Sequence, residues 1–221
     1  MKSNSQNPQL STSLRLMTLT TALLALAPLA SSETLALDPS ASRIRWVGKK
    51  VVGQQHDGTV AISGGQVEFD GNQLKGGEVS IDMKSIKNDD LTDAAYNAKL
   101  TGHLKSDDFF GVEKHPTAKF KIKSVKPVKN AADATHEISG DLTIKGITHP
   151  ARFNAKIEVK DPEPNKTKSA NIAKSASARG KLTIDRTKYN IRYGSGKFFE
   201  DLGDKMISDD FDLEINLQTK R

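Results

Sequence analysis

The most constraining feature of this sequence is an alternation of apolar and polar side chains that recurs along its second half. Apolar or small residues occupy every second position, and mostly polar residues lie between them, at 118–122, 138–144, 151–159, 176–184 and 211–217. Successive side chains of a β-strand point to opposite faces, so each run presents one apolar face and one wet face. Such one-sided strands are typical of antiparallel sheets. The alternation therefore predicts an all-β fold.

The first half of the domain repeats this pattern in shorter pieces. Apolar positions alternate at 44–46, 60–62, 67–69 and 79–83. Gly64-Gly65 and Asp70-Gly71-Asn72 separate these pieces, and such glycine-rich pairs are typical of turns. We therefore expect this region to form a meander of short strands.

One segment, residues 90–110, lacks the period of two. Its Ala, Leu and Lys residues suit a helix, and Leu100 and Leu104 would give that helix one apolar side, although Gly102 weakens it. We expect one short helical segment of one or two turns, near residues 93–105, lying across one end of the sheet. The polar, proline-bearing segment 161–175 is expected to protrude as a loop.

The pattern predicts about eight strands, each with one apolar face. That face must be covered by another part of the protein. One short helix is too small to do so. Two sheets packed as a sandwich would bury it, and closing one sheet into a barrel would bury it and also remove the exposed edges. We favour a single antiparallel barrel of about eight strands, with the sandwich as the alternative.

The first 32 residues differ in composition from the rest. Lys2 and Arg15 lie in a region without acidic residues, and the segment 16–32 is rich in Leu and Ala and ends in small residues. This order is typical of a secretory signal peptide, and the apolar part is short for a membrane span. We expect a signal peptide over 1–32, cleaved after Ser32, and an exported periplasmic domain over 33–221. The alternative is a membrane anchor.

The sequence offers little catalytic or metal-binding chemistry. It has no cysteine, which excludes disulfides and cysteine-based sites, and its five histidines form no short metal-ligand motif. His103 near Asp107 and Asp108 is the nearest candidate, and a solvated turn explains it better. The formal net charge of +6 is not concentrated in a stripe of the kind that binds nucleic acid. We expect a protein that is not an enzyme, needs no cofactor or metal and does not bind nucleic acid.

Small residues at the inward positions raise the question of whether the barrel is filled. A barrel of about eight strands either fills with side chains or holds one small ligand. The small inward residues are Ala118, Gly140, Ala151, Ala155, Ala176, Ala178 and Gly180. Packed interiors tolerate few voids, so this clustering favours a cavity lined by the larger residues. Alternatively, large residues from across the barrel fill the space.

Five segments together resemble the YceI-like family of exported bacterial proteins. They are "RIRWVGKK", "VSIDMKSIKN", "HLKSDDFFGVEKHPTAKFKIKSV", "ISGDLTIKGITHPARF" and "ARGKLTIDRTKYNI", and in this order they span nearly all of 37–217. The resemblance implies an extended, lipocalin-like antiparallel barrel that holds a long-chain isoprenoid or quinone-type lipid, and it also implies a homodimer. The long segments 161–175 and 193–205 depart from the family pattern and leave the identity of the lipid open.

The candidate ligand-binding residues are large or small apolar residues at inward positions. They are Trp46, Ile81, Met83, Ala118, Phe120, Ile122, Leu142, Ile144, Ala151, Phe153, Ala155, Ala178, Leu182, Ile184, Phe211, Leu213 and Ile215. The expected function is non-catalytic carriage of the lipid, with transient contact to a membrane surface. One alternative is a packed structural or stress-response barrel without a ligand. Another is an enzyme acting on such a lipid, which would need inward polar groups that the pattern almost lacks.

Four cations flank the last long connection and offer partners for the polar end of a lipid. Arg186, Lys188, Arg192 and Lys197 could contact a phosphate or a quinone carbonyl. The alternative, which we favour for Arg186, is an ion pair with Asp185 or with another acid at the surface.

Overall fold

The computed structural model describes residues 32–129, 133–161 and 174–220, together with Met1. The predicted signal peptide lies outside these residues, except for Met1 and Ser32, and so does most of the loop predicted at 161–175. The described strands are β1 Ser32–Ala36, β2 Arg43–Lys50, β3 Gln55–Asp70, β4 Gln73–Asn88, β5 Thr117–Pro127, β6 His136–Ile144, β7 Ile147–Lys160, β8 Ser175–Asp185 and β9 Ile207–Gln218. The helix α1 spans Ala94–Lys105, and two 3-10 turns span Arg186–Tyr189 and Gly203–Lys205.

The sheet closes on itself, which confirms the predicted all-β antiparallel barrel. Strands β2 and β4 to β9 pair in the order β2-β9-β8-β7-β6-β5-β4, and β3 pairs with both β4 and β2 to complete a ring of eight strands. The short β1 pairs with the second half of β3, beyond the part that β2 covers, and Leu37 bridges to Thr219 after β9. β1 and β2 therefore act as one interrupted strand between β3 and β9, and the sequence pattern did not predict β1.

Burial follows the predicted alternation most clearly in the second half of the barrel. In β6, the inward Ile138, Gly140, Leu142 and Ile144 are all buried and the residues between them are only partly so. In β7, every second residue from Arg152 to Glu158 is exposed. The apolar faces of all strands meet in one core inside the ring, so the barrel interior is the main hydrophobic core of the molecule.

The turn predicted at Gly64-Gly65 is wrong, because β3 and β4 run through their glycines as two long, bent strands of 16 residues each. The backbones approach closely here. A Cβ atom on Gly65 would lie 2.3 Å from the carbonyl oxygen of Glu78, and one on Gly77 would lie 2.4 Å from that of Gln66. Both glycines also have a positive φ, which other residues rarely adopt. These glycines bend the paired strands instead of ending them.

The helix is present where it was predicted, but it is longer than one or two turns. The carboxylate of Asp93 accepts hydrogen bonds from the backbone N–H groups of Ala95 and Tyr96, at 2.9 and 3.0 Å, and so caps the first turn. Leu104 is the one residue of α1 that is buried. The helix joins β4 to β5 at the barrel end that also carries the β2–β3, β6–β7 and β8–β9 connections, which we call the upper end. Among the described residues, none of the helices has the length and apolar character needed to span a bilayer.

Candidate ligand-binding cavities

The larger internal cavity, which we call the upper cavity, lies below α1 at the upper end of the barrel. Its volume is about 120 Å³. Its wall is almost entirely apolar and is formed by strands, by α1 and by the connections after α1 and β8. The lining residues are Ile44, Trp46, Gly48, Lys49, Val60, Ile81, Met83, Ile86, Leu104, Phe109, Phe110, Ala118, Leu142, Ile144, Arg186, Ile191, Ile207, Ser208, Asp210, Phe211 and Leu213.

A bulge in β9 interrupts the wall of the upper cavity next to β2. Gly48 pairs with Phe211 and Lys50 pairs with Ile207, so the three residues Ser208 to Asp210 face the single residue Lys49. The extra residues leave the β2–β9 ladder, as bulges do, while Asp210 remains paired with Asp185 of β8. Ser208 and Asp210 of this bulge belong to the wall of the otherwise apolar cavity.

A smaller cavity of about 50 Å³, the lower cavity, lies on the same barrel axis toward the other end. Its wall combines large residues with the small residues of β7 and β8. The lining residues are Leu37, Val67, Phe69, Leu74, Val79, Phe120, Ile122, Ile138, Phe153, Ala155, Ile157, Ala176, Ser177, Ala178, Arg179, Gly180, Ile215, Leu217 and Thr219.

A layer of side chains, which we call the partition, separates the two cavities. Ile62 and Leu182 are buried and belong to neither wall. Along β3, Val60 above Ile62 lines the upper cavity and Val67 below it lines the lower one. The ring of Phe120 reaches across to β6, where a Cβ atom on Gly140 would lie 2.8 Å from its Cζ. Ile62, Leu182 and Phe120 form the partition.

The small inward residues leave less space than the sequence pattern alone suggests, because aromatic rings fill part of it. Phe120 packs against Gly140, and Phe153 packs against Gly180, whose added Cβ would lie 3.0 Å from the Phe153 ring. The two rings also contact each other, with centroids 5.7 Å apart. The expected cavity and the alternative of a filled interior therefore each hold in part, since aromatic rings fill some of the interior and two cavities remain.

The structure places the seventeen candidate residues in three groups. Eight line the upper cavity, namely Trp46, Ile81, Met83, Ala118, Leu142, Ile144, Phe211 and Leu213. Six line the lower cavity, namely Phe120, Ile122, Phe153, Ala155, Ala178 and Ile215. Ala151, Leu182 and Ile184 line neither cavity and pack within or against the core. That these residues contact a ligand stays a prediction.

Several wall residues escaped the sequence analysis. Ile44 and Val60 lie within the alternating pattern and could have been included. By contrast, Phe109, Phe110 and Ile191 come from connections without a period of two, and only the folded chain brings them over the cavity. Phe109 and Phe110 lie within 6.5 Å of each other, measured between ring centroids, and Phe110 meets Phe211 edge to face.

Arg186 is the most buried of the polar residues in the wall of the upper cavity, and only 4% of it is exposed. Burial lowers its pKa because the charged form loses hydration, yet a guanidinium stays protonated. Four of its N–H groups donate to backbone carbonyls at 2.9 to 3.1 Å, those of Ile191, Tyr193, Ile207 and Ser208. Arg186 therefore fastens the bulge of β9 to the connection that follows β8.

The acid nearest to Arg186 is Asp209 and not Asp185. Nη2 of Arg186 lies 3.8 Å from Oδ1 of Asp209. The carboxylate of Asp185 instead caps the 3-10 turn through the backbone N–H of Thr187, and Lys197 pairs with both acids, at 3.2 and 3.1 Å. The favoured expectation of an ion pair with an acid thus holds for Asp209.

The other two candidate cations lie outside the cavity walls. The guanidinium of Arg192 stacks over the ring of Phe198 at 4.7 Å from its centroid. Lys188 contributes its backbone carbonyl to a contact with the His149 ring. Within the described residues, no histidine lines either cavity, and no three acidic or histidine side chains come together as a metal site.

Comparison with known sequences finds relatives named UPF0312 proteins. One from Pseudomonas putida (strain F1) is 35% identical over 115 residues, which are 48% of this chain and 56% of that protein. Another from Azotobacter vinelandii is 32% identical over 107 residues, 48% of this chain and 52% of that protein. The chain thus spans about half the length of the curated relatives it matches.

Comparison with solved structures finds the same barrel. BcnA of Burkholderia cenocepacia matches with a TM-score of 0.60 and 22% identity, covering 83% of this chain and 99% of that one. A polyisoprenoid-binding domain from Saccharophagus degradans matches with a TM-score of 0.51 and 15% identity, covering 84% and 97%. At these identities the likeness shows a shared fold. Residues 35–219 match the YceI-like domain, so this chain belongs to the YceI-like family, as its sequence motifs indicated.

Proposed function

We propose that this protein is a non-catalytic carrier that holds the apolar tail of a long-chain isoprenoid or quinone-type lipid inside its barrel, in the periplasm. The observation that carries the proposal is the upper cavity, which is apolar and lies at one end of a closed barrel, beside the bulge of β9. The polyisoprenoid-binding domain from Saccharophagus degradans, which shares the fold, supports the same ligand class.

The cavity volumes limit how much of a lipid tail the barrel can hold without moving its side chains. An apolar cavity of roughly 150 Å³ accommodates a benzene molecule, so the upper cavity of about 120 Å³ matches about one isoprene unit. A longer tail must displace the partition to reach the lower cavity. Cores resist such displacement but their side chains do change rotamers, so we expect long tails to enter slowly.

The energetics favour reversible carriage. Burying one methylene from water is worth about 0.8 kcal/mol, so several isoprene units would bind with very high affinity if they came from water. A membrane lipid comes from a bilayer, which solvates its tail about as well as the barrel does. The net gain is small, and the protein would exchange its lipid with membranes.

The exposed apolar side chains support transient contact with a bilayer. Apart from Met1, all of the large exposed hydrophobic residues described lie at the upper end, namely Val51, Val52, Tyr96, Tyr193, Phe198 and Phe199. The hairpin tip and the connection before β9 are adjacent, since the N–H of Val51 donates to the carbonyl of Met206 at 2.9 Å. Exposed apolar clusters mark interaction sites, and aromatic residues favour the membrane interface.

Native mass spectrometry of the protein purified from its own host tests the proposal. We expect a co-purified lipid with a long apolar tail, or uptake of an added prenyl lipid by stripped protein. A clean protein mass without any such uptake would contradict carriage. That result would favour the packed structural or stress-response barrel, to which the small cavity volumes also point.

A further inference from the structure

The route by which a lipid tail reaches the upper cavity depends on where the cavity wall yields most easily. Two stretches of this wall leave the regular ladder of paired strands. One is the bulge of β9 beside Lys49. The other is a four-residue stretch of β4, residues 83–86, which we call the side segment. The two stretches differ in how firmly the protein holds them.

The side segment lacks regular strand pairing on both of its edges. Its four residues lie opposite the single residue Val60 of β3, because the pairing register of β4 jumps there from Lys87 to Asp82. Toward β5, regular pairing ends at Asp82, and the N–H of Met83 donates to the carbonyl of Pro116 at 2.9 Å. Among the described strands, none pairs with the rest of the segment. Fewer backbone hydrogen bonds therefore hold this part of the wall than hold a regular strand.

The hydroxyl of Ser85 is the main polar link between the side segment and β3. Its Oγ accepts a hydrogen bond from the backbone N–H of Ala61 at 2.8 Å and donates one to the carbonyl of Asp82 at 2.6 Å. Lys84 pairs with Glu113 at 2.8 Å, but both side chains are largely exposed, and such ion pairs contribute little to stability. One hydroxyl group thus bridges the gap in the ladder.

The bulge of β9 is held more firmly. Arg186 donates four hydrogen bonds to backbone carbonyls, including those of Ile207 and Ser208 on β9, and hydrogen bonds from a charged group are stronger than neutral ones. Asp210 also stays paired with Asp185 of β8. Of the two interruptions, the side segment is therefore the one that opens at the lower cost.

The side segment is itself part of the wall of the upper cavity. Met83 and Ile86 line the cavity, and so does Val60 opposite them. All three are buried, whereas Lys84, which lies between Met83 and Ile86 in the chain, is exposed. The segment thus separates the cavity from the outside by the thickness of one strand. Moving it outward would open the cavity sideways.

We propose that the side segment is the entrance through which an apolar tail passes into the upper cavity, and that the hydroxyl of Ser85 controls how readily it opens. This inference rests on the proposed function and adds the route of the ligand. An entrance that opens and closes again leaves the walls of the empty and the filled cavity unchanged. Loosening it should therefore raise the association and dissociation rate constants by the same factor, without changing the Kd.

Stopped-flow fluorescence with geraniol tests the proposal, because its two isoprene units depend least on passage through the partition. Trp46, the only tryptophan of the chain, lines the upper cavity and donates its indole N–H to the carbonyl of Lys87, next to the side segment, at 3.1 Å. We expect Ser85→Ala to raise both rate constants on the order of fivefold, as the loss of a hydrogen bond predicts, and to keep the Kd.

The matched control is Thr183→Ala. The hydroxyl of Thr183 donates to Oδ1 of Asp212 at 2.7 Å, across a regularly paired stretch of β8 and β9. Its loss also removes one hydrogen bond between neighbouring strands, but it leaves the side segment intact. We expect this variant to keep both rate constants of the wild type.

A disulfide across the gap provides the opposite change. The chain has no cysteine, so the double variant Ala61→Cys/Ser85→Cys places a single pair of thiols on the two sides of the gap. The oxidised form should take up geraniol more slowly than the reduced form of the same variant. Where the disulfide does not form, Ser85→Ala decides the question.

The outcomes distinguish this inference from the proposed function. Wild-type rate constants in Ser85→Ala, or an equal increase in Thr183→Ala, would refute the side entrance, and so would a change in Kd without faster exchange. A larger increase in Asp93→Ala, which loosens α1, would place the entrance below the helix instead. Equal uptake by the oxidised and reduced double variant would also refute it. If the wild-type protein binds no prenyl alcohol of any length, the carrier function itself fails.

Discussion

At the scale of single residues, Arg186 shows how burial changes the role of a side chain. The sequence "DRTKY" suggests a surface cation, but the guanidinium is enclosed and four backbone carbonyls accept its hydrogen bonds. Hydrogen bonds to a charged group are stronger than neutral ones. Arg186 thereby fixes the bulge of β9 that borders the upper cavity.

Tyr189 gives a prediction for pH dependence. Burial raises the pKa of its hydroxyl from 10.0 to about 12, because the ionised form is poorly solvated inside the protein. The unfolded chain ionises at lower pH, so the stability contributed by neutral Tyr189 is complete below pH 10 and is lost as the pH rises toward 12. By linkage, the free energy of unfolding should fall by about 3 kcal/mol across this window on account of Tyr189.

Chemical denaturation of the wild-type protein and of Tyr189→Phe at several pH values between 9 and 12 measures this effect. We expect the variant to lose less stability than the wild type as the pH rises. Tyr96→Phe removes a hydroxyl from an exposed position on α1 and serves as the control. Parallel pH profiles of the wild type and Tyr189→Phe would show that Tyr189 does not contribute.

At the scale of elements, α1 is held by its N-cap, by apolar contacts of Leu100 and Leu104, and by the side chain of Asn97, which donates to the backbone carbonyls of Asn88 and Leu91. Its Asp93 cap satisfies two backbone N–H groups, and Leu104 near its end is buried over the upper cavity. Only Leu104 of α1 is buried and Leu100 is partly buried, so the helix gains little from packing and its cap contributes to its stability. The position of Leu104 thus depends on a cap eleven residues earlier in the chain.

Replacing the cap tests this dependence. We expect Asp93→Ala to lower the free energy of unfolding by about 1 kcal/mol and to speed hydrogen exchange in α1 more than in the barrel strands. The neighbouring Asp90 also accepts backbone and side-chain hydrogen bonds, but it does so from the β3 and β4 side, so its replacement should not have this local effect. Unchanged exchange in α1 of the Asp93 variant would show that packing alone holds the helix.

At the scale of the whole molecule, the partition divides one barrel interior into two cavities. Phe120 contributes most to it, because its ring crosses from β5 to Gly140 on β6. Ala178 lines the lower cavity, on the far side of the partition. These two positions should therefore change the binding of long tails in opposite directions.

We expect Phe120→Ala to join the cavities and to favour long prenyl chains over short ones, at a cost of about 3 to 5 kcal/mol in stability. Ala178→Trp should fill the lower cavity and weaken the binding of long chains, with little effect on short ones. Titration with prenyl alcohols of increasing length, followed by Trp46 fluorescence, measures the effect in Phe120→Ala. In Ala178→Trp the new indole also emits, so displacement of a bound fluorescent prenyl probe is measured instead. Equal chain-length preferences in both variants and the wild type would show that the partition does not select for length.

The sequence determined most of the architecture, because a side-chain period of two needs only local information. The runs at 138–144, 151–159 and 176–184 indicated their strands and inward faces, and the segment around 93–105 indicated the helix. Glycine was less informative. Gly64 and Gly65 looked like a turn, because sequence alone does not distinguish a glycine that reverses the chain from one that lets two strands approach.

Only the tertiary structure decided where space remains inside the barrel. Whether Gly140 opens a cavity depends on the ring of Phe120 on the neighbouring strand, and the upper cavity needs Phe109 and Ile191 from distant connections. The same holds for the pairing of Arg186 with Asp209, because Asp209 lies in a bulge of β9 that only the folded barrel shows. A single strand sets the direction of a side chain, but packing volume and polar pairing depend on residues that the closed ring brings together.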